Sequence, residues 1–173
     1  DRQVGDLERS IEARCLRLLL RQQPVAKDLR AISTAIKMIT DMERIGDQAA
    51  DIAELTPYIA DCALQNKLHI KDMAKEAVSM VTGSVDAYVR EDLDLVQKVI
   101  DQDDTVDALF NQVKTELIEL VQEKGTDAQA ALDLLMAAKY FERIGDHAVN
   151  VAEWVEYSLT GVHKSSEHHP ALC

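Results

Sequence analysis

Glu43-Arg44-Ile45-Gly46-Asp47 returns unchanged as Glu142-Arg143-Ile144-Gly145-Asp146, 99 residues further along the chain. Each copy continues in the same style, with Asp51 and Glu54 after the first and Asn150 and Glu153 after the second. Acidic or carbonyl-bearing side chains therefore recur at steps of four, four and three. That spacing belongs to one face of a helix. At about 100° per residue, Glu43, Asp47, Asp51 and Glu54 fall within an arc of roughly 80°. Two such stripes in one chain read as two equivalent sites on two helices.

Working outward, the likeness extends to the preceding helices. Asp1, Val4, Leu7 and Ile11 match Asp103, Val106, Leu109 and Val113 at an offset of 102. The offset then drops to 99, and the three-residue difference falls in short turns, Gln22-Gln23-Pro24 in one half and Lys124-Gly125-Thr126-Asp127 in the other. The spacing predicts helices over Val4 to Arg21 and Ala26 to Leu55, the latter ended or kinked before Pro57. A looser joint follows from Tyr58 to Leu68. Further helices are expected from Ile70 to Arg90, Leu93 to Ile100, Thr105 to Glu123 and Asp127 to Leu159, with Thr126 or Asp127 as the N-cap of the last. Residues 1–66 and 67–162 form the two repeated units, and residues 163–173 read as a disordered tail.

The bulk composition agrees with an all-α chain. Hydrophobic residues make up 47% and aromatics only 4%, with six Gly and three Pro, and no window shows the period-two alternation of a sheet. A net charge of −12 argues against nucleic acid and against unaided binding of anions or anionic lipid. Cys15, Cys62 and Cys173 have no Cys-x-x-Cys spacing, which points to the cytosol and not to a disulfide framework. No apolar run reaches the roughly 20 residues of a membrane span. Membrane association is expected only through a partner.

Phe141, Ile144, Ala148, Val151 and Val155 form the apolar stripe of the last helix, and Met42, Ile45, Ala49, Ile52 and Thr56 stand at the equivalent positions. Both stripes lie nearly opposite the acids, which places the acids on the outer surface. The second half also has Ile70 to Ile100 ahead of its helix pair, and the first half has no counterpart. This predicts a further helix of roughly 30 residues ahead of Asp1, since a bare two-helix hairpin leaves an apolar groove open.

Clustered carboxylates without His or Cys suit hard cations such as Mg²⁺, Mn²⁺ or iron, and Ca²⁺ in a looser cage. Like charges at four-residue steps each cost a few tenths of a kcal/mol, and repeating that pattern weakens its reading as a merely solvated face. Asp103 and Asp107 add a second pair in the second half, expected near Asn150 and Glu153; the matching first-half residues are Asp1 and Gly5. The two sites should therefore differ in charge. Gly46 and Gly145, each costing about 1 kcal/mol within a helix, are expected at close approaches of neighbouring helices. Arg44 and Arg143 suit pairing with adjacent acids, and His147 could join a site. The basic run Arg14, Arg17, Arg21, Lys27 and Arg30 reads as a solvated face or a docking surface. No phosphate loop, nucleophilic triad or inward Glu-x-x-His pair is present, so no enzyme is expected.

Pro24-Val-Ala-Lys-Asp-Leu-Arg30 and the two Glu-Arg-Ile-Gly-Asp copies, the second followed by His147, resemble the PhoU family of phosphate-signalling regulators over nearly the whole chain. The resemblance implies two similar three-helix bundles in tandem, with the first helix of the first bundle absent. It implies multinuclear iron or zinc clusters, with Mg or Mn as alternatives. Their ligands would be Asp1, Glu43, Asp47 and Asp51 in one bundle, and Asp103, Asp107, Glu142, Asp146 and the departing Asn150 in the other. It further implies a cytoplasmic negative regulator, expected as a homodimer, acting between a phosphate ABC transporter ATPase and a sensor histidine kinase. Two readings compete: a helical scaffold whose acidic faces serve only solubility, and a metal-dependent hydrolase of phosphorylated substrates.

Overall fold

The computed structural model describes residues 2–59, 68–123 and 126–162. Asp1, most of the expected joint, and the tail with His168 and His169 lie outside the described residues. Five helices follow in order: α1 Arg2–Gln22, α2 Lys27–Ile59, α3 Ile70–Arg90, α4 Leu93–Val121 and α5 Ala128–Thr160. In the second half α3, α4 and α5 pack on one another as a three-helix bundle, whereas α1 rests on α2.

Local chemistry sets several helix ends. Asp92 caps α4 by accepting from the Asp94 and Leu95 amides at 2.9 and 3.2 Å. Asp127 does the same for α5, accepting from Gln129 at 2.9 Å and Ala130 at 3.3 Å; each cap satisfies donors that the helix itself leaves free. Glu91 closes α3 in the left-handed region. Gly161, at φ 77°, closes α5 with its amide donating to the Tyr157 carbonyl at 2.8 Å.

Two expected boundaries are corrected. The pieces from Leu93 to Ile100 and from Thr105 to Glu123 are a single helix, α4. Asp101-Gln102-Asp103-Asp104-Thr105 is polar but holds neither Gly nor Pro, and Val96, Val99, Val106, Val113, Leu117 and Leu120 keep one buried stripe through it. Likewise α2 does not end before Pro57 but continues to Ile59, because a proline in the last turn forfeits little of the hydrogen-bond ladder.

The core is aliphatic and centred on the second half. Met73, Met80, Val106, Val113, Leu134, Ala138, Ala148 and Val151 have no exposed surface. Of the expected α5 stripe, Ile144, Ala148, Val151 and Val155 are buried and Phe141 packs on the core. The α2 counterpart is more open, with Met42, Ala49 and Thr56 exposed and Ile45 and Ile52 half-buried.

The most extensive packing between helices is α2 on α5, and its register is antiparallel and symmetric. The Arg30 guanidinium lies against Gly161, Lys37 Nζ sits 5.8 Å from the Trp154 ring centre, and Asn150 donates to Asp41 Oδ1 at 3.1 Å. In each pair the α2 residue precedes Gly46 by as many residues as its α5 partner follows Gly145. The sequence repeat is thus expressed as an approximate twofold at the level of the two motif glycines. A rotation that exchanges antiparallel neighbours stands normal to their common plane, so it carries both acid stripes to one side and the two hairpin turns to opposite ends.

Leu134 is fully buried on α5 whereas Leu132, two residues earlier, is 59% exposed. Leu134→Ala is expected to lower unfolding stability by about 2–5 kcal/mol through lost burial and a residual cavity. Leu132→Ala should change it by less than about 0.5 kcal/mol. Paired urea titrations check both.

Candidate metal centre

The second-half acids meet where α4 crosses the motif segment of α5. Gly145 lies at this crossing: a Cβ there would make only ordinary contacts, 3.5 Å from Asp103 Oδ1 and 3.6 Å from the Met80 thioether. Gly46 is tighter on α2, where a Cβ would stand 3.2 Å from the Val4 side chain of α1. The expected close approach is therefore present at Gly46, against an apolar side chain, whereas at Gly145, beside a carboxylate, the packing leaves room for a Cβ.

Asp103 is pushed up to about 6, first by desolvation and then by Asp146, Asp107, Asp104 and Glu142. Asp107 is raised by desolvation and Glu142, against a lowering pull from Lys139. Asp146 is raised by desolvation, then by Glu142 and Asp107, with Lys139 and His147 opposing; its residue faces solvent, so the half-buried Asp103 bears the larger effect. Glu142 keeps only 14% of its side chain exposed, and its Oε2 pairs with the Lys139 ammonium. Lys139 opposes the rise at Asp107 and Asp146, but desolvation and the neighbouring acids outweigh it and both carboxyls stay raised.

The first-half stripe is gentler. Glu43 and Asp47 are half-buried, and the Arg44 guanidinium reaches both, at 4.0 and 3.7 Å. Asp51 lies beside Glu54, Leu55, Tyr58 and the opposing Tyr140 around a cavity of about 390 Å³. Gly5 stands where the second half has Asp107, so the described part of α1 offers no acid at that position.

Asp103 lies at Gly145, and not towards Asn150 and Glu153 as the sequence suggested. Asn150 instead donates to Asp41, and His147 Nδ1 lies 2.9 Å from the same Asp41 oxygen. A step of four residues advances about 40° around a helix. The stripe therefore drifts from the α4 seam at Glu142, through solvent at Asp146, to the α2 seam at Asn150. The acids accordingly are not all on the outer surface. Asp41 escaped the sequence reading because it stands outside the stripe; its repeat counterpart is Tyr140, and that mismatch was the available signal.

Carboxylate oxygens crowded at a half-buried seam have the donor chemistry for a hard cation. Among the described residues no three acidic, His or Cys groups converge on a common point. Cation binding would have to turn these side chains inward, against the repulsion that a bound positive charge removes.

A carboxyl with a higher pKa folded than unfolded holds its proton more tightly in the fold, so its ionisation destabilises. For Asp103 this loss develops as pH rises from 3.8 to about 6. Asp103→Asn is expected to stabilise the chain at pH 7.5 by about 1 kcal/mol, a linkage value reduced for partial solvent screening, and to have little effect at pH 4. Denaturant midpoints at the two pH values test this. Gly145→Ala meets only ordinary contacts and gains helix propensity, so it should stabilise by about 0.5–1 kcal/mol. Gly46→Ala, tighter against Val4, should gain less in the same titration.

The match to known proteins is extensive. The PhoU domain family model matches residues 1–56 and 70–155. The "Phosphate-specific transport system accessory protein PhoU homolog" of Clostridium acetobutylicum is 38% identical over 165 residues, covering 91% of this chain and 73% of that protein. Its namesake in Pseudomonas aeruginosa is 34% identical, with coverage of 93% and 67%. The crystal structure of PhoU from Pseudomonas aeruginosa superposes with a TM-score of 0.87, covering 94% of this chain and 78% of that one. The PhoU structure from Streptococcus pneumoniae, at 24% identity, shares the fold with a TM-score of 0.84. The doubled motif, the helix order and these matches together make the chain a member of the PhoU family.

Proposed function

We propose that this protein is a non-catalytic regulator of phosphate transport, a helical adaptor whose acidic side takes up hard cations and thereby changes which surfaces it can meet. The relatives' name, accessory protein of a phosphate-specific transport system, supports the transport role. The observation that supports the cation role is the second-half seam, where Asp103 lies at Gly145 and is raised by Asp146, Asp107 and Glu142, with Lys139 pairing Glu142. A bound iron, zinc, Mn²⁺ or Mg²⁺ would supply positive charge to these carboxylates. Asp103 and Asp146 would bridge α4 and α5 through it, and Glu142 would exchange its ammonium partner for it. In the first half Glu43, Asp47 and Asp51 would form the weaker counterpart, since Arg44 already serves two of them.

In this reading the partners are the transporter's cytoplasmic ATPase and a membrane sensor histidine kinase, the chain restrains uptake when phosphate is ample, and it acts as a cytoplasmic homodimer. Neutralising the acidic side lets a chain of net charge −12 approach acidic partner surfaces that it otherwise repels. The second reading, a scaffold with merely solvated acids, draws on the lack of a converged ligand set among the described residues. Titration calorimetry with Mn²⁺ or Fe²⁺ separates them. Binding that weakens at least about tenfold in Asp103→Asn/Asp146→Asn, together with chelator-sensitive capture of the transporter ATPase, is expected for the adaptor. Heat-silent titrations and chelator-indifferent capture would leave the scaffold.

A further inference from the structure

The basic run singled out in the sequence takes no part in the site above, and it occupies one end of the molecule. Between Arg14 and Arg30 five cationic residues face a single acid, Asp28. Arg14, Arg17, Arg21 and Lys27 are exposed, and none has an ion-pair or hydrogen-bond partner among the described residues. Leu20 and Val25, at 83% and 74%, are the most exposed large hydrophobic residues described, and they flank the α1–α2 turn. Leu16 and Leu29 are nearly half exposed beside them.

The repeat shows that this character is not demanded by the fold. At the offset of 102, Arg14, Arg17 and Arg21 correspond to Glu116 and Glu119 of α4 and to Glu123 just past its end, so the repeat carries the opposite charge at all three positions. The aliphatic groups are not simply waiting for a third helix either. In the second half, where α3 covers α4, the counterparts of Leu16, Leu20 and Leu29 are Ile118, Gln122 and Ala128, and all remain exposed.

From this charge reversal and these protruding side chains we infer that the α1–α2 hairpin tip is a docking surface for an anionic phospholipid bilayer. Cations beside exposed aliphatic groups at a helical turn can meet lipid phosphates while Leu20 and Val25 enter the acyl boundary. The net charge of −12 does not forbid it, because charges screen over about 8 Å at physiological salt. Glu43, the nearest acid of the α2 stripe, lies thirteen residues past Arg30, about 20 Å along the helix. Glu156, at the adjoining end of α5, is already engaged within the protein. Docked this way, the chain would stand on its basic end with the acid stripes clear of the membrane.

Co-sedimentation with phosphatidylglycerol/phosphatidylcholine vesicles, against phosphatidylcholine alone, tests the assignment. It is run in chelator, so that cations bridging the acidic side cannot contribute and the cation reading stands or falls separately. Binding to the anionic vesicles only, weakening with salt, is expected. Arg14→Glu/Arg17→Glu/Arg21→Glu should reduce it by at least about 100-fold, and Leu20→Gln by about tenfold. Both variants install what the second half carries at those positions, and unchanged helicity by circular dichroism checks that they fold. No binding to anionic vesicles, or indifference to both variants, would overturn the proposal. So would equal affinity for soluble polyglutamate with no effect of Leu20→Gln, which would assign the tip to an acidic protein instead.

Discussion

The antiparallel packing of α2 against α5 is the constraint on which the remaining structure depends. Both helices reach 33 residues, and both carry a motif glycine at the same level. Contacts at either side of that level, Asp41 with Asn150 and His147, Lys37 with Trp154 and Arg30 with Gly161, hold one register. A polar contact at a helix seam is weak evidence of stability but strong evidence of registry, since a slip would strand Asp41 half-buried without its partners. The symmetric register gives the acid stripes a common side and sends the hairpin tips to opposite ends.

Within that frame the two halves use one motif for unequal ends. At Gly46 the missing side chain is filled by Val4, and Arg44 answers two of the acids. Gly145 instead lies beside Asp103, with Lys139 facing Glu142. The second seam therefore keeps its acids raised by desolvation and mutual repulsion, whereas Arg44 answers two acids of the first. That repulsion beside a buried aliphatic core is what the proposed cation would relieve.

Charge is also segregated along the molecule. Arg14, Arg17 and Arg21 on α1 stand opposite in sign to Glu116 and Glu119 on α4 and Glu123 just past it, although α1 and α4 are equivalent elements of the repeat. Glu116 is committed to the His69 backbone amide, accepting from it at 3.1 Å, whereas Arg14 at the matching position is exposed. Val4, against Gly46, and Val106, in the second-half core, are the same residue.

Helix type, the repeat and the acid pattern were legible in the sequence, because helical periodicity and capping by Asp127 are properties of near neighbours along the chain. The polar stretch around Asp103 misled, since local polarity resembles a break when the buried Val99 to Val106 stripe that carries the helix through it is not weighed. What the sequence by itself determined is that Glu142, Asp146 and Asn150 share a helix face. Only the tertiary structure decided that Glu142 and Asp146 meet Asp103 while Asn150 turns to Asp41. The 40° drift of each four-residue step is fixed by the helix, but which neighbour waits at each angle is fixed by how α4 and α2 pack around α5.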